Sequence, residues 1–217
     1  MLHLFLRYEV GFMGLIGYFW KDIPILPSLL LVLVYVLIPY LLGSINTAIL
    51  VSKYFYHDDI RNYGSGKAIF VIAADALKAV AACLLTGFLL KPYGMYLEGT
   101  VIGGAAVMFG HVFPVFLKFK GGKGILSGLF IAVVADWRIA LIILAIFAVV
   151  YFATGYVSLS SLLAATGFGV CFVVFHYDNW IVSVGGAFMA ALTIFMHRSN
   201  IVRLCTGKET KTNLFSR

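Results

Sequence analysis

Polar residues that could handle phosphate are concentrated in a few short stretches of an otherwise apolar chain. Three of these stretches combine cations with glycine or other polar residues: HDDIRNYGSGK (57–67), KFKGGKG (118–124) and HRSNIVR (197–203). A fourth, GSINT (43–47), ends an apolar segment. Glycines let backbone N–H groups approach an anion closely, and lysine or arginine adds full positive charge. These residue types predict a binding site for a phosphate group.

The stretch KFKGGKG carries the strongest chemical signal. Gly124 opens an apolar helical segment, and the N-terminal N–H groups of a helix carry partial positive charge that suits phosphate. Lys120 and Lys123 add two full charges beside it. The stretch is not a Walker P-loop, because Lys123 is followed by Gly124 rather than by Ser or Thr. The alternative is a flexible connector whose lysines only set the membrane topology.

Polar residues inside the apolar segments have a structural alternative beside the functional one. Asp75 and Lys78 lie three residues apart on one helix face. Charges within a membrane span usually face the bundle interior, so this pair either takes part in chemistry or neutralises itself. Ser44 either acts in the site or bonds to the backbone of its own helix.

Two histidines are further candidates. His111 ends an apolar helical stretch and precedes Pro114, so a role at the helix end competes with a role in the site. His197 and Asn200 lie three residues apart at the end of the last apolar segment, where helix capping is the alternative. No metal-ligand spacing is present, and neither a metal nor a cofactor is expected.

The elements that carry these residues are expected to be membrane helices. Of the 217 residues, 62% are hydrophobic and 12% are charged, whereas soluble domains average about 25% charged residues. Residues 27–197 are expected to form one compact all-α bundle of about seven spans. The candidate spans lie near 27–52, 68–90, 97–117, 124–135, 138–154, 157–175 and 179–197. Residues 1–26 are expected to form an interfacial segment, and residues 198–217 a basic cytoplasmic tail.

The placement of lysine and arginine predicts the orientation. Eleven of these cations fall on the side shared by the tail and by the loops after spans one, three and five, and four fall on the other side. The positive-inside rule places the richer side in the cytoplasm. The C-terminus and the polar stretches are then inside, and the N-terminus is outside. The net charge of +7 is therefore read as a signal of topology and anionic ligands, and not of nucleic acid.

Six ordered blocks resemble one family. The blocks are YLLGSINTA (40–48), DIRNYGSG (59–66), DALKA (75–79), GHVFPVFLKFKGGKG (110–124), GYVSLSS (155–161) and MHRSNIVRLCTGKE (196–209). Together they resemble the PlsY family of membrane glycerol-3-phosphate acyltransferases. The resemblance implies transfer of a fatty acyl group from acyl phosphate to the 1-hydroxyl of glycerol 3-phosphate, giving lysophosphatidic acid and phosphate. The implied partners are these two substrates and the lipids of a bacterial cell membrane, without a cofactor.

The resemblance and the polar pattern together assign the candidate site residues. Ser44, Lys123, His197 and Asn200 are expected to be catalytic. The expected substrate-binding residues are Arg61, Gly64, Ser65, Gly66, Lys67, Asp75, Lys78, His111, Lys120, Gly121, Gly122, Gly124, Ser158 and Ser160. A polarised glycerol hydroxyl would attack the acyl carbon while backbone N–H groups and lysines stabilise the developing negative charge.

The chain departs from the family pattern after GSG (64–66). The family continues there through a GATN block, whereas in this chain Lys67 follows directly and apolar sequence begins at Ala68. Lys67 is expected to substitute for the missing block as a phosphate ligand beside Arg61. The alternatives are a paralogue that binds a lipid phosphate without turnover or acylates another acceptor, and a small anion transporter.

Overall fold

The computed structural model describes residues 33–45 and 65–212, with side chains from residue 70 onward in the second range. The regular elements in these ranges are helices. They are α1 (Ile38–Ser44, preceded by a π-helical turn, Leu33–Leu37), α2 (Ser65–Leu90), α3 (Tyr96–Val112), α4 (Ile125–Ala135), α5 (Trp137–Thr154), α6 (Val157–Phe175), α7 (Trp180–Met196) and α8 (Arg198–Cys205). The segment predicted to be interfacial, 1–26, lies outside the described residues.

Each of the seven predicted spans contains a helix, which confirms the all-α architecture. Within the described ranges, four helices are long and apolar enough to cross a membrane. They are Phe70–Tyr93, Tyr96–Leu117, Trp137–Thr154 and Val157–Phe175. α7 and α8 provide a fifth if the pair is one span broken by its 56° bend, and the helices Leu33–Ser44 and Ile125–Ala135 are shorter. Among the described residues, length and composition therefore support four to five spans, whereas the sequence predicted about seven for the whole of 27–197.

Local sequence sets several helix ends. The Asp136 side chain caps α5 by accepting a hydrogen bond from the Arg138 N–H at 3.1 Å. Gly155 ends α5 with a φ of +73°, a left-handed conformation that favours glycine. The Asn179 side chain caps α7 by accepting from the Val182 N–H at 3.3 Å. These caps set both ends of α5 and the start of α7, each within one residue of the predicted bounds.

α3 is the central helix and packs against α1, α2, α4 and α7. Its crossing with α1 is a backbone contact at two glycines. A Cβ on Gly43 would lie 2.1 Å from the Val107 carbonyl oxygen, and a Cβ on Gly110 would lie 2.1 Å from the Tyr40 carbonyl oxygen. Small residues allow such close approach of helices. The crossing brings the end of α1 beside His111, at the end of α3.

The polar ends of the helices meet at one end of the bundle. The segment after α8 closes this end, because the Thr212 N–H donates to the Gly155 carbonyl oxygen at 2.9 Å. The Tyr151 hydroxyl donates to the Thr212 carbonyl oxygen at 2.8 Å. The segment that was predicted to be a tail therefore packs, at Thr212, against the corner between α5 and α6. At the opposite end, Asn179 Nδ2 donates to Glu98 Oε1 at 2.7 Å.

Candidate active site

The loop after α3 is shaped by its contact with His111. The Gly122 N–H donates to the His111 carbonyl oxygen at 3.0 Å. A Cβ on Gly122 would lie 2.1 Å from His111 Nε2, and a Cβ on Gly121 would lie 2.1 Å from the His111 carbonyl oxygen. Both glycines are therefore required by close packing on His111, which is a reason separate from the phosphate binding predicted for them.

The N-terminus of α4 follows this loop. Gly124 is the N-cap, with a φ of +85° and no side chain to accept a hydrogen bond from the helix. The first N–H groups of α4 thus have no acceptor from the cap residue. Because Lys123 immediately precedes the cap, a full charge and a helix N-terminus lie side by side. This arrangement favours an anion.

A chain of polar contacts joins Lys123 to the segment that follows α7. Lys123 Nζ donates to Asn200 Oδ1 at 2.7 Å, across 77 residues of sequence. Asn200 Nδ2 donates to Glu209 Oε1 at 2.9 Å. Arg203 Nε donates to Glu209 Oε2 at 2.6 Å. Two residues predicted to be catalytic, Lys123 and Asn200, are thus in direct contact.

The groups around Glu209 shift two pKa values. The Ser158 hydroxyl, the Asn200 amide and Arg203 hold the pKa of Glu209 down at about 2. Ser158 Oγ is buried beside the carboxylate without full hydrogen-bond geometry, so the well-formed bonds come from Asn200 and Arg203. Burial and the charge of Arg203 lower the pKa of Lys123, and the Glu209 carboxylate opposes them.

His197 is held in one tautomer. Its Nδ1 lies 2.8 Å from the Thr193 carbonyl oxygen. Since a carbonyl oxygen only accepts hydrogen bonds, Nδ1 carries the hydrogen, and Nε2 of the neutral ring is an acceptor. The His197 side chain is 2% exposed. It can therefore accept a hydrogen bond from a substrate hydroxyl through Nε2.

Asp75, Lys78 and His111 form a second cluster. Lys78 Nζ lies 2.7 Å from Asp75 Oδ1 and 3.2 Å from His111 Nδ1. It also donates to the Ile45 carbonyl oxygen at 2.9 Å. Asp75 and Lys78 form an ion pair. The sequence had left open whether this pair takes part in chemistry or only neutralises itself. Through its contacts with Ile45 and His111, Lys78 also joins the end of α1 to α3.

A polar cavity of about 530 Å³ lies between these clusters. The predicted site residues that line it are Asp75, His111, Lys123, Gly124, Ser158, His197 and Asn200. An apolar cavity of about 170 Å³ adjoins it and shares Gly124, Ile125, Leu126 and Phe147. The first suits phosphate and hydroxyl groups, and the second suits an alkyl chain.

Other predicted residues lie away from the polar cavity. Ser44 is fully buried, and its hydroxyl donates to the Tyr40 carbonyl oxygen at 2.9 Å. Ser160 is fully buried and donates to the Tyr156 carbonyl oxygen at 2.8 Å. Lys120 is exposed on the loop surface. Each serine thus bonds to the backbone of its own helix, which was the structural alternative stated for Ser44. Functional roles for Ser44, Ser160 and Lys120 stay predictions.

The expected phosphate site before α2 is only partly described. Arg61 and Gly64 lie outside the described residues, and Ser65, Gly66 and Lys67 are described only as backbone at the start of α2. The substitution of Lys67 for the missing family block therefore stays a prediction.

Glu209 is a cavity residue that the site prediction omitted. It is the single acidic residue between 198 and 217, in a segment that otherwise carries lysines and arginines. A lone carboxylate among cations indicates an ion pair. The sequence therefore indicated an ion pair, but it did not show which residues bind the carboxylate.

We expect Glu209→Gln to remove an acid-sensitive part of the stability. Because folding lowers the pKa from 4.5 to about 2, the carboxylate stabilises the fold above about pH 4.5, and this stabilisation is lost as the pH falls toward 2. The melting temperature of the wild type should exceed that of the variant near neutral pH, and the difference should vanish as the pH falls to about 2. A difference that does not change with pH would contradict this assignment.

Comparison with known proteins identifies the family. The family model described as "Glycerol-3-phosphate acyltransferase" matches residues 33–207. A glycerol-3-phosphate acyltransferase of Thermoanaerobacter sp. (strain X514) is 39% identical over 189 residues, which cover 81% of this chain and 92% of that protein. The chain belongs to the glycerol-3-phosphate acyltransferase family.

Further members of the acyltransferase family match over a comparable share of the chain. A relative from Neisseria meningitidis serogroup C is 34% identical over 191 residues, covering 81% of this chain and 94% of its own length. A crystal structure of PlsY (YgiH), an integral membrane glycerol 3-phosphate acyltransferase in its glycerol 3-phosphate form, matches with a TM-score of 0.71 and 30% identity. That match covers 84% of this chain and 98% of the PlsY chain.

The lysophosphatidic acid form of PlsY matches with a TM-score of 0.72 and 28% identity, covering 82% of this chain and 94% of that one. The two PlsY forms and the apolar helices establish an all-α integral membrane protein of this acyltransferase family. The family match includes the glycine-rich loop, the Lys78 cluster and Asn200. Glu209 lies just beyond its end.

Proposed function

We propose that this protein transfers a fatty acyl group from acyl phosphate to the 1-hydroxyl of glycerol 3-phosphate, giving lysophosphatidic acid and inorganic phosphate. The observation that carries the proposal is the junction of a polar and an apolar cavity at the N-terminus of α4. Gly124, Ile125 and Leu126 belong to both cavities. A substrate with its alkyl chain in the apolar cavity would bring its acyl carbon and phosphate to this junction.

The chemistry follows from the charges at the junction. Glycerol 3-phosphate would bind in the polar cavity, its phosphate held by Lys123 and by N–H groups of α4. Donors in the same place stabilise the negative charge that develops on the carbonyl oxygen during attack. His197 accepts a hydrogen bond from the attacking hydroxyl through Nε2 and orients it. The hydroxyl oxygen bonds to the acyl carbon, the bond from that carbon to the phosphate oxygen breaks, and the leaving phosphate takes the proton.

A direct assay tests the proposal. Purified protein in lipid nanodiscs would receive acyl phosphate and labelled glycerol 3-phosphate, and the products would be separated by their solubility in organic solvent. We expect labelled lysophosphatidic acid that depends on both substrates. Failure to form it, in a protein that still binds glycerol 3-phosphate, would overturn the proposal.

The same assay addresses a second candidate function. The missing family block after GSG (64–66) favours a protein that binds a lipid phosphate without turnover. That candidate predicts saturable binding of lysophosphatidic acid with no acyl transfer. An anion transporter would instead move phosphate across sealed vesicles and would also give no acylated product.

We also propose that the polar cavity faces the cytoplasm of a bacterial cell, with the N-terminus outside, because lysine and arginine are concentrated at that end of the bundle. Lys120 and Tyr93 are exposed at opposite ends. In a background without the exposed Cys205, Lys120→Cys should react only with reagents that enter the cell, and Tyr93→Cys with reagents that do not. Labelling of Lys120→Cys by an impermeant reagent in intact cells would reverse the orientation.

A further inference from the structure

The Lys78 side chain has all of its hydrogen-bonding capacity taken up by the protein itself. It is 6% exposed, and an ammonium group carries three hydrogens and no lone pair. Its acceptors are Asp75 Oδ1 at 2.7 Å, the carbonyl oxygens of Ile45 at 2.9 Å and Gly43 at 3.3 Å, and His111 Nδ1 at 3.2 Å. These four acceptors share three hydrogens, so no hydrogen is left for a substrate phosphate, although the sequence predicted Lys78 to bind one.

We infer that Lys78 is a positioning residue that fixes the tautomer of His111 and, through His111, the glycine-rich loop that would bind glycerol 3-phosphate. The binding of glycerol 3-phosphate by this loop rests on the proposed function. The contacts of Lys78 and His111 do not depend on it. Lys78 thus acts on the reaction through the protein and not by touching the substrate.

The tautomer follows from the chemistry of the contact. Lys78 Nζ lies 3.2 Å from His111 Nδ1 and can only donate. A hydrogen on Nδ1 would point at the hydrogens of the ammonium, so the geometry assigns Nδ1 as the acceptor. The neutral imidazole then carries its hydrogen on Nε2. Asp75 shares the ammonium with His111 and keeps the charge of the cluster balanced. His111 is therefore a hydrogen-bond donor at the edge of the polar cavity, whereas His197 is an acceptor there.

Two contacts with His111 fix the position of the glycine-rich loop. Its carbonyl oxygen accepts from the Gly122 N–H at 3.0 Å. Its Nε2 lies so close to Gly122 that a Cβ there would be 2.1 Å away. Lys123 is the next residue, so a change in the orientation of the imidazole would displace the ammonium that contacts Asn200.

Lys78 also holds the end of α1. The last carbonyl groups of a helix have no N–H partner within it. Gly43 lies in the last turn of α1 and Ile45 is its C-cap residue, and Lys78 donates to the carbonyl oxygens of both. One side chain of α2 therefore fastens the end of α1 to His111 on α3, at the wall of the proposed site.

Nitrogen-15 NMR of histidine-labelled protein in nanodiscs tests the tautomer without any substrate. The signals of His111 would be identified by their loss in His111→Gln. We expect an unprotonated Nδ1 and a protonated Nε2 in the wild type at about pH 7. A protonated Nδ1 would overturn the inference. In Lys78→Met, the signals should move toward the average of the two tautomers, whereas Lys91→Met, at an exposed position just after α2, should leave them unchanged.

A second variant covers the case in which Lys78→Met does not fold. Asp75→Asn with Lys78→Met removes the carboxylate charge together with the ammonium charge and should fold more readily. We expect it to lose the single tautomer and to raise the KM for glycerol 3-phosphate by roughly tenfold, with the KM for acyl phosphate changed less than twofold. An unchanged tautomer, or equal effects on both KM values, would overturn the positioning role.

The two measurements separate the two proposals. If the wild type shows the expected His111 tautomer but no acyl transfer, the proposed function fails and the Lys78 contact stands. If the wild type is active and His111 Nδ1 is protonated, the inference about Lys78 fails and the proposed function stands.

Discussion

The Lys123→Met protein should use glycerol 3-phosphate about 10- to 100-fold less efficiently than the wild type, as measured by kcat/KM, because charge-assisted hydrogen bonds contribute roughly 1.5–3 kcal/mol. Lys123 lines the polar cavity and contacts Asn200 at 2.7 Å. Burial and the charge of Arg203 lower the pKa of Lys123, so its ammonium form is less favoured in the protein than in water. A bound phosphate dianion would restore a strong partner for that charge.

Lys120→Met is the matched control for this prediction. Lys120 belongs to the same loop and carries the same charge, but it is exposed on the surface. Its loss should change kcat/KM less than threefold, because exposed charges are screened by water and salt. Equal losses of kcat/KM in the two variants would mean that the loop acts through its total charge. Unchanged kinetics in Lys123→Met would mean that the lysines of the loop serve only to set the membrane topology.

Gly122→Ala should reduce kcat/KM by 100-fold or more in a protein that still folds. The new Cβ would lie 2.1 Å from His111 Nε2, so either the imidazole or the loop must move. Displacement of a binding group by about 1 Å can lower the rate of a reaction by roughly 100-fold. Activity would be measured with acyl phosphate and glycerol 3-phosphate, together with the melting temperature.

Gly167→Ala provides a control for the added methyl group. At that position in α6 the nearest atom to a new Cβ would be Ile146 Cδ1, at 2.6 Å, which is the flexible end of a side chain. The melting temperature can fall in both variants, but a large loss of activity should be confined to Gly122→Ala. Wild-type activity in Gly122→Ala would show that the loop does not depend on close packing against His111.

The helices were largely predictable because their cause is local. In lipid, each backbone polar group must be satisfied within its own segment, so an apolar run of sufficient length becomes a helix. The span predicted at 157–175 coincides with α6, and the one predicted at 138–154 differs from α5 by one residue. What a linear pattern could not show is that the chain after α7 bends by 56° and returns to the bundle. That return depends on contacts with the corner between α5 and α6.

The sequence predicted many of the residues that line the site. It predicted far less well which of them bond to one another. Lys123 and Asn200 were both predicted, and the structure brings them into contact across 77 residues. Glu209 was missed, because its place in the cavity depends on hydrogen bonds from Asn200 and Arg203 that the sequence does not show. Lys78 was assigned to substrate because an isolated helix shows only its neighbour Asp75.

The amino-acid sequence by itself determined that this chain forms apolar helices, that its lysines and glycines collect at one end of them, and that its ordered blocks resemble one acyltransferase family. Only the tertiary structure decided that Gly122 packs on His111, that Lys78 is occupied by carbonyl oxygens of α1, and that Glu209 folds back to the cavity. The physical reason is that hydrophobic runs and helix caps act over a few residues. The partner of a buried charge depends instead on which helices cross and how closely their backbones approach, and no single segment contains that information.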